Sequence, residues 1–82
     1  MIIMESSELL TIISRLEAMT KDKTDTVQVR RFDVDGVERA QVIYNHDDNI
    51  FTVVDHSIEE ELKFDNIDFV AMEVFELIQP RT

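Results

Sequence analysis

The stretch Phe64-Asp-Asn-Ile-Asp-Phe-Val-Ala-Met-Glu-Val-Phe-Glu-Leu-Ile-Gln79 decides the fold, because it predicts a helix that is apolar along one side. Asp65 or Asn66 suits the N-cap position, and Asp68 places a negative charge in the first turn. Pro80 follows the last apolar residues and marks the end of the helix. At about 100° per residue, one broad apolar arc is formed by Ile67, Val70, Ala71, Val74, Leu77 and Ile78.

A second amphipathic helix is predicted near the start of the chain, over Ser7 to Thr20. Ser6 or Ser7 suits its N-cap. Residues 1–6 are expected to be disordered or extended. Apolar residues recur at three- and four-residue spacing and share one face; they are Leu9, Ile12, Ile13, Leu16 and Met19.

Between the two helices, the spacing of apolar residues changes to the alternation of strands. Val27 and Val29 fall in one phase and Phe32 and Val34 in the other, so a bulge is expected near 30–31. The only glycine follows Asp35, and an Asp-Gly pair between two valines is a strong hairpin signal.

Two further strands are suggested after a turn over residues 45–49. A third strand covers residues 50–55, and a short fourth strand over residues 61–64 is left open. Each connection is too short for a parallel crossover, so the strands should form an antiparallel meander. The prediction is a two-layer α+β fold, helix–three or four strands–helix, with both helices packed on one face of the sheet.

Length and composition limit the chain to one domain over residues 1–82. The 82 residues include no cysteine, which removes disulfide frameworks and thiolate metal sites. No apolar run exceeds four residues, and Met1 to Met4 lack the basic start of a signal peptide. These features favour a cytoplasmic protein.

The charge is strongly negative and unevenly placed. The formal net charge is −10, and residues 41–82 carry ten acids with only Lys63 and Arg81 as bases. Such a field repels phosphate backbones and anionic lipid surfaces. Neither nucleic acid nor a membrane is therefore an expected partner.

Some large apolar residues are not used by this packing scheme. Phe69 and Met72 share the polar side of the last helix, with Phe75 at its boundary. The sheet also carries apolar residues on both faces, so the face away from the helices needs a cover. Because short chains are commonly stabilised by association, we expect a homodimer or another protein contact. The candidate interface is Phe69, Met72 and Phe75 with their acidic neighbours Asp68, Glu73 and Glu76.

Other candidate sites give weaker signals. Arg30, Arg31 and Arg39 could hold a small anion, although the favoured interpretation is that they offset nearby acids. His46 and His56 lie at opposite ends of the third strand, which argues against one shared metal site. No nucleophile pair, phosphate loop or zinc helix motif is present, so catalytic residues, cofactors and metals are not predicted.

The segments described above resemble the YkuJ-like family, small uncharacterised proteins of Gram-positive bacteria. The likeness is carried by residues 64–79, by Ile12-Ile-Ser-Arg-Leu-Glu17, and by the Phe32-x-Val-x-Gly36 hairpin, and it extends from about Glu8 to Gln79. The resemblance implies a helix, an antiparallel sheet of about three strands and a closing helix. It implies no activity, cofactor or catalytic residue. A small acidic bacterial protein with an interaction or regulatory role is the expectation that follows.

Overall fold

The computed structural model describes residues 3–56 and 58–79, with side chains described from Glu8 onward. Two helices enclose four strands in the order α1 (Ile3–Lys21), β1 (Val27–Val34), β2 (Val37–Asn45), β3 (Ile50–Asp55), β4 (Glu60–Phe64) and α2 (Ile67–Ile78). The strands form one antiparallel sheet in sequential order, which is the predicted meander. The fourth strand forms, and the α+β fold class is confirmed.

The β1–β2 hairpin turns at the predicted Asp-Gly pair. Asp35 has φ 53° and Gly36 has φ 78°. Positive φ at both central residues is the backbone of a type I′ turn, whose twist matches that of the flanking strands. Val34 and Val37 face each other across this turn, so its position sets the register of the hairpin.

The bulge lies elsewhere than predicted. Side chains alternate between the two faces of the sheet without interruption from Val27 to Phe32. The register of β1 against β2 shifts only between Phe32 and Asp33. Phe32 pairs with Ala40 and Asp33 with Glu38, so the additional residue, Arg39, is in β2. The expected bulge near residues 30–31 is therefore wrong. The physical reason is that a polar residue, Gln28, occupies the buried phase of β1, while Val27 and Val29 face outward.

Hydrogen bonds explain how a polar side chain is accommodated in the buried phase. Gln28 is 6% exposed, and its Nε2 donates to the carbonyl oxygens of Asp22 at 3.3 Å and Asp25 at 3.4 Å. A buried amide with such partners avoids the free-energy cost of an unpaired polar group. The same Asp22 carbonyl lies 2.8 Å from Nε2 of His46, which connects the loop after α1 to the end of β2.

The first helix is longer than predicted. It begins at Ile3, four residues before the expected start at Ser7, so residues 3–6 are helical and neither Ser6 nor Ser7 is its N-cap. Residues 1 and 2 lie outside the described part of the chain. The apolar face is as expected, since Ile12, Leu16 and Met19 are buried.

The second helix starts where the sequence indicates. Asn66 is the N-cap, and its Oδ1 accepts a hydrogen bond of 2.8 Å from the backbone N–H of Asp68. The helix ends at Ile78 with Gln79 as the C-cap. The stop assigned to Pro80 falls outside the described residues.

Both helices close on the same face of the sheet, where the core lies. The buried arc of α2 consists of Val70, Ala71, Val74 and Leu77. It packs on all four strands and on α1. The sheet contributes alternate residues to this core: Phe32, Ala40, Val42, Tyr44, Phe51 and Val53.

We predict that Val74→Ala lowers the free energy of unfolding by about 2 kcal/mol, because it leaves a cavity in this core. Val74 is 0% exposed on the helix that contacts every strand. The measurement is urea unfolding followed by circular dichroism.

Met72→Ala is the matched control on the same helix, where the side chain is 58% exposed. Its effect should stay within about 0.5 kcal/mol. Equal losses in the two variants would contradict this description of the α2 face.

Candidate protein-interaction surface

The side of α2 away from the core presents large apolar residues to solvent. Phe69 and Met72 are each 58% exposed and lie three residues apart, which places them side by side on the helix. Phe75 continues the row toward the core and is partly buried. Isolated exposed apolar residues are ordinary, whereas a contiguous row of them marks a contact surface.

These residues line a groove that two other elements complete. We call it the α2 groove, and it encloses about 420 Å³. Its lining comprises Leu9, Phe64, Phe69, Met72, Glu73, Phe75 and Glu76. Five of the six candidate interface residues therefore line one surface. The sixth, Asp68, is exposed in the first turn of α2 and is not part of this lining.

Leu9 from α1 and Phe64 from the end of β4 were not predicted as members of the site. Leu9 was predicted only as part of the apolar face of the first helix, and Phe64 only as the end of a possible fourth strand. In the structure they are partly buried against the core and also form part of the groove wall. Only the packing of α1 and β4 beside α2 brings them to this surface.

The polar part of the groove is acidic. The pKa of Glu73 lies above its ordinary value, mainly because partial burial disfavours the charged carboxylate. Repulsion from Glu76, Asp55 and Glu60 raises it further. The groove therefore joins exposed apolar side chains to carboxylates that repel one another, a combination suited to a ligand that is both apolar and cationic.

The three arginines proposed as an anion site are not gathered on one face. Arg30 and Arg31 are consecutive in β1 and point to opposite sides of the sheet. Nε of Arg31 lies 3.4 Å from a carboxylate oxygen of Glu38, and an Nη1 nitrogen of Arg30 donates to the carbonyl of Val29 at 2.9 Å. Arg39 occupies the bulge of β2, and its Nε is buried without a hydrogen-bond partner among the described residues.

The two histidines are also separate. His46 stacks edge-on against Tyr44, with ring centroids 4.8 Å apart, while Nε2 of His56 lies 2.5 Å from a carboxylate oxygen of Glu38. Across residues 3–56 and 58–79, no three metal-ligating side chains come together as a binding group. Within the same residues, no helix has the length and apolar character needed to span a membrane.

A smaller hollow lies between α1 and the end of β1. It encloses about 280 Å³ and is bordered by Ile12, Arg15, Phe32 and Ile78 among others. The Arg15 guanidinium lies 4.2 Å from the centroid of the Phe32 ring and donates to the carbonyl of Arg31 at 3.0 Å. Because these contacts hold Arg15 in place, we assign its role here to joining α1 to β1.

The fold and the groove define a small two-layer α+β protein with an apolar surface open on its last helix. A family model described as "Protein of unknown function (DUF1797)" matches residues 12–78. The chain belongs to this family.

Two comparisons identify a relative in Bacillus subtilis (strain 168). The chain is 33% identical over 78 residues to the uncharacterised protein YkuJ, a match covering 89% of this chain and 99% of YkuJ. The X-ray structure of YkuJ from Bacillus subtilis superimposes with a TM-score of 0.80 at 31% identity, covering 88% of this chain and 98% of that one. The predicted family resemblance is confirmed.

We predict that Glu73→Gln raises the melting temperature at neutral pH. A raised pKa means that the folded chain binds this proton more tightly than the unfolded chain. Stability therefore falls as the pH rises from the ordinary glutamate pKa of 4.5 through the higher pKa of Glu73 in the folded chain. The variant removes the charge that causes this loss. Circular dichroism melts at neutral pH and at pH 3 to 4 measure the difference, which should vanish at the lower pH.

Glu17→Gln on the exposed side of α1 is the control, and it should show no such pH-dependent gain. A Glu73→Gln variant less stable than the parent at neutral pH would show that the Glu73 carboxylate contributes a stabilising interaction instead.

Proposed function

We propose that this chain is a homodimeric, non-catalytic protein-interaction module, and that its α2 groove binds a basic amphipathic helix of a partner protein. The observation that carries the proposal is the exposure of Phe69 and Met72, 58% each, in a groove rimmed by Glu73 and Glu76. Apolar anchors with a polar rim are the usual anatomy of a protein contact.

The shape of the groove supports a helical partner. Phe69, Met72 and Phe75 form a line along α2, while Leu9 and Phe64 form further parts of the wall. A second amphipathic helix laid along α2 could place apolar residues at three- and four-residue spacing into such a line. This is the mode in which grooves beside helices take up peptide segments.

The charge of the groove supports a basic partner. Glu73 has a raised pKa because of partial burial and three neighbouring carboxylates, so a cation placed there would relieve unfavourable repulsion. Lys or Arg side chains that flank the apolar residues of a partner helix would supply that cation. Binding should consequently weaken as salt rises, since Glu76 on the rim is exposed to solvent and Glu73 is only partly buried.

The same charge argues against two copies of this chain meeting through their α2 grooves. A two-fold axis there would bring equivalent patches together, so Glu73 and Glu76 of each copy would approach the same residues of its mate. Like charges in an interface disfavour association. The homodimer therefore needs a different surface.

Two other functions receive less support. Anion binding by Arg30, Arg31 and Arg39 would require the three guanidinium groups to converge, and alternation along β1 separates the first two. An enzyme would require titratable groups placed around a reacting atom. The α2 groove contains two glutamates among apolar walls, an arrangement better suited to binding.

We predict that Phe69→Asp weakens binding of a designed probe peptide at least tenfold. The probe is a synthetic helix with leucines at positions i, i+3 and i+7 and lysines between them. The added charge at position 69 would have to be buried against apolar side chains. Fluorescence polarisation with a labelled peptide measures binding, and far-ultraviolet circular dichroism checks that the helices remain.

Two controls accompany this test. Val37→Asp changes a side chain that is 55% exposed beside the β1–β2 turn and lies outside the groove lining, so it should leave peptide binding unchanged. A probe with glutamate in place of each lysine should bind more weakly than the basic probe. Equal binding of both probes would refute the charge argument, and undiminished binding to a folded Phe69→Asp protein would refute the site.

A further inference from the structure

The sheet face turned away from the helices is a second open surface. It consists of three rows of paired residues that share one side of the strands, and we call it the outer sheet face. The rows are Val27–Asn45–Ile50, Val29–Ile43–Thr52–Lys63 and Arg31–Gln41–Val54–Glu61. Within the described residues, both helices pack on the opposite side of the sheet.

This face is rich in apolar residues although it faces solvent. Val27 is 45% and Val29 is 40% exposed, and both lie near partly exposed Ile43 and Ile50. An antiparallel sheet with one solvated face normally places polar side chains there. A face built from β-branched apolar residues is instead typical of sheets that pack against a second layer.

Its charge differs from that of the chain as a whole. The three rows contain Arg31, Lys63 and Glu61 as their charged residues. Next to the Arg31 row, Glu38 contacts Arg31 and pairs across the strands with Asp33. The formal charges of these two cations and three carboxylates sum to −1, whereas the chain carries −10. The outer sheet face is therefore a surface through which this acidic chain could meet a copy of itself with little local charge repulsion.

We propose that a second copy of this chain packs face to face on the outer sheet face, with Arg31 of each copy paired with Glu61 of the other. The proposal rests on the homodimer part of the proposed function and does not depend on the α2 groove.

The register of the strands leads to this pairing. Arg31 and Glu61 lie in the same row, at opposite edges of the sheet. Consider a two-fold axis that lies between the two sheets and runs parallel to the strands. Rotation about this axis leaves each row at the same position along the strand direction and sets β1 of one copy opposite β4 of the other. It therefore sets Arg31 of one copy opposite Glu61 of its mate, twice, with the mean strand directions aligned as in ordinary sheet packing.

The remaining contacts in this arrangement are also compatible. Ile43 comes opposite Thr52, and Val54 comes opposite Gln41, in the middle of the interface. Lys63 comes opposite Val29, where its methylene stem can cover the valine while its ammonium group stays in water. The Nζ of Lys63 already lies 3.4 Å from the Thr52 hydroxyl, which places its side chain on this face.

The size of the face limits the affinity. Four strands about 4.8 Å apart and six residues about 3.3 Å apart make a face about 20 Å on each side, so the two copies together bury on the order of 1,000 Å². This is the lower end for specific interfaces, and we expect dimers that dissociate in the micromolar range.

Sedimentation equilibrium over a concentration series around that range tests the proposal on the full chain. The wild-type protein should approach twice the mass of 9.6 kDa. Arg31→Glu alone and Glu61→Arg alone should each weaken association at least tenfold, because like charges then meet twice. The double variant R31E/E61R should return to within about threefold of wild type, since the exchanged charges again oppose one another.

Lys23→Glu in the exposed loop after α1 makes the same change of charge as Arg31→Glu and should leave association unchanged. If Arg31→Glu fails to fold, as judged by circular dichroism, Thr52→Arg replaces it, because it places a charge in the middle of the face. Thr52→Arg should then yield a folded monomer.

Several results would overturn the proposal. A wild-type monomer throughout the series would remove both the homodimer and this interface, while peptide binding to the α2 groove could still succeed. Folded single variants that associate like wild type would remove the interface alone, as would a double variant without recovery. The double variant E61K/K63E tests a different arrangement, in which the two-fold axis runs across the strands and residue 61 of one copy faces residue 63 of the other. Wild-type association of this variant would overturn the proposed arrangement, in which Lys at position 61 would face Arg31.

Discussion

The packing of α2 on all four strands is the constraint on which the rest of the structure depends. Its buried arc, Val70, Ala71, Val74 and Leu77, requires a continuous apolar sheet face beneath it, and the meander provides one. Since α1 packs beside α2 on that same face, neither helix of the described residues covers the other face of the sheet. The orientation of α2 also turns Phe69 and Met72 outward, beside Leu9 and Phe64. Both open surfaces are thus consequences of one helix–sheet contact.

The two open surfaces differ in charge, and this difference suggests a division of roles. Carboxylates surround the α2 groove, and one of them, Glu73, resists ionisation because of its burial and its acidic neighbours. The outer sheet face carries nearly balanced charges within a chain of net charge −10. Electrostatics therefore favours a basic foreign partner at the groove and a second copy at the sheet. Such a protein would present two identical grooves, one from each subunit, to its partners.

Much of the architecture could be predicted because it is encoded locally. The start of α2 follows from the Asn66 cap, and the hairpin follows from the Asp-Gly pair, whose positive φ values few other residue pairs allow. Which side chains of β1 face the core could not be predicted in this way. Val27 and Val29 suggested a buried pair, but Gln28 takes the inner position because backbone carbonyls of the α1–β1 loop accept its hydrogen bonds. Those partners are brought to Gln28 only by folding.

By itself, the sequence determined the element order, the apolar arc of each helix, the antiparallel meander and the exposed aromatic side of α2, because periodicity and turn chemistry act over a few residues. Tertiary structure alone decided that Leu9 and Phe64 complete the groove, that the additional residue of the sheet is Arg39, and that Arg31 and Glu61 share one row. Each of these depends on which distant segments become neighbours. That is settled by the way α2 closes on the sheet, which no short stretch of the chain encodes.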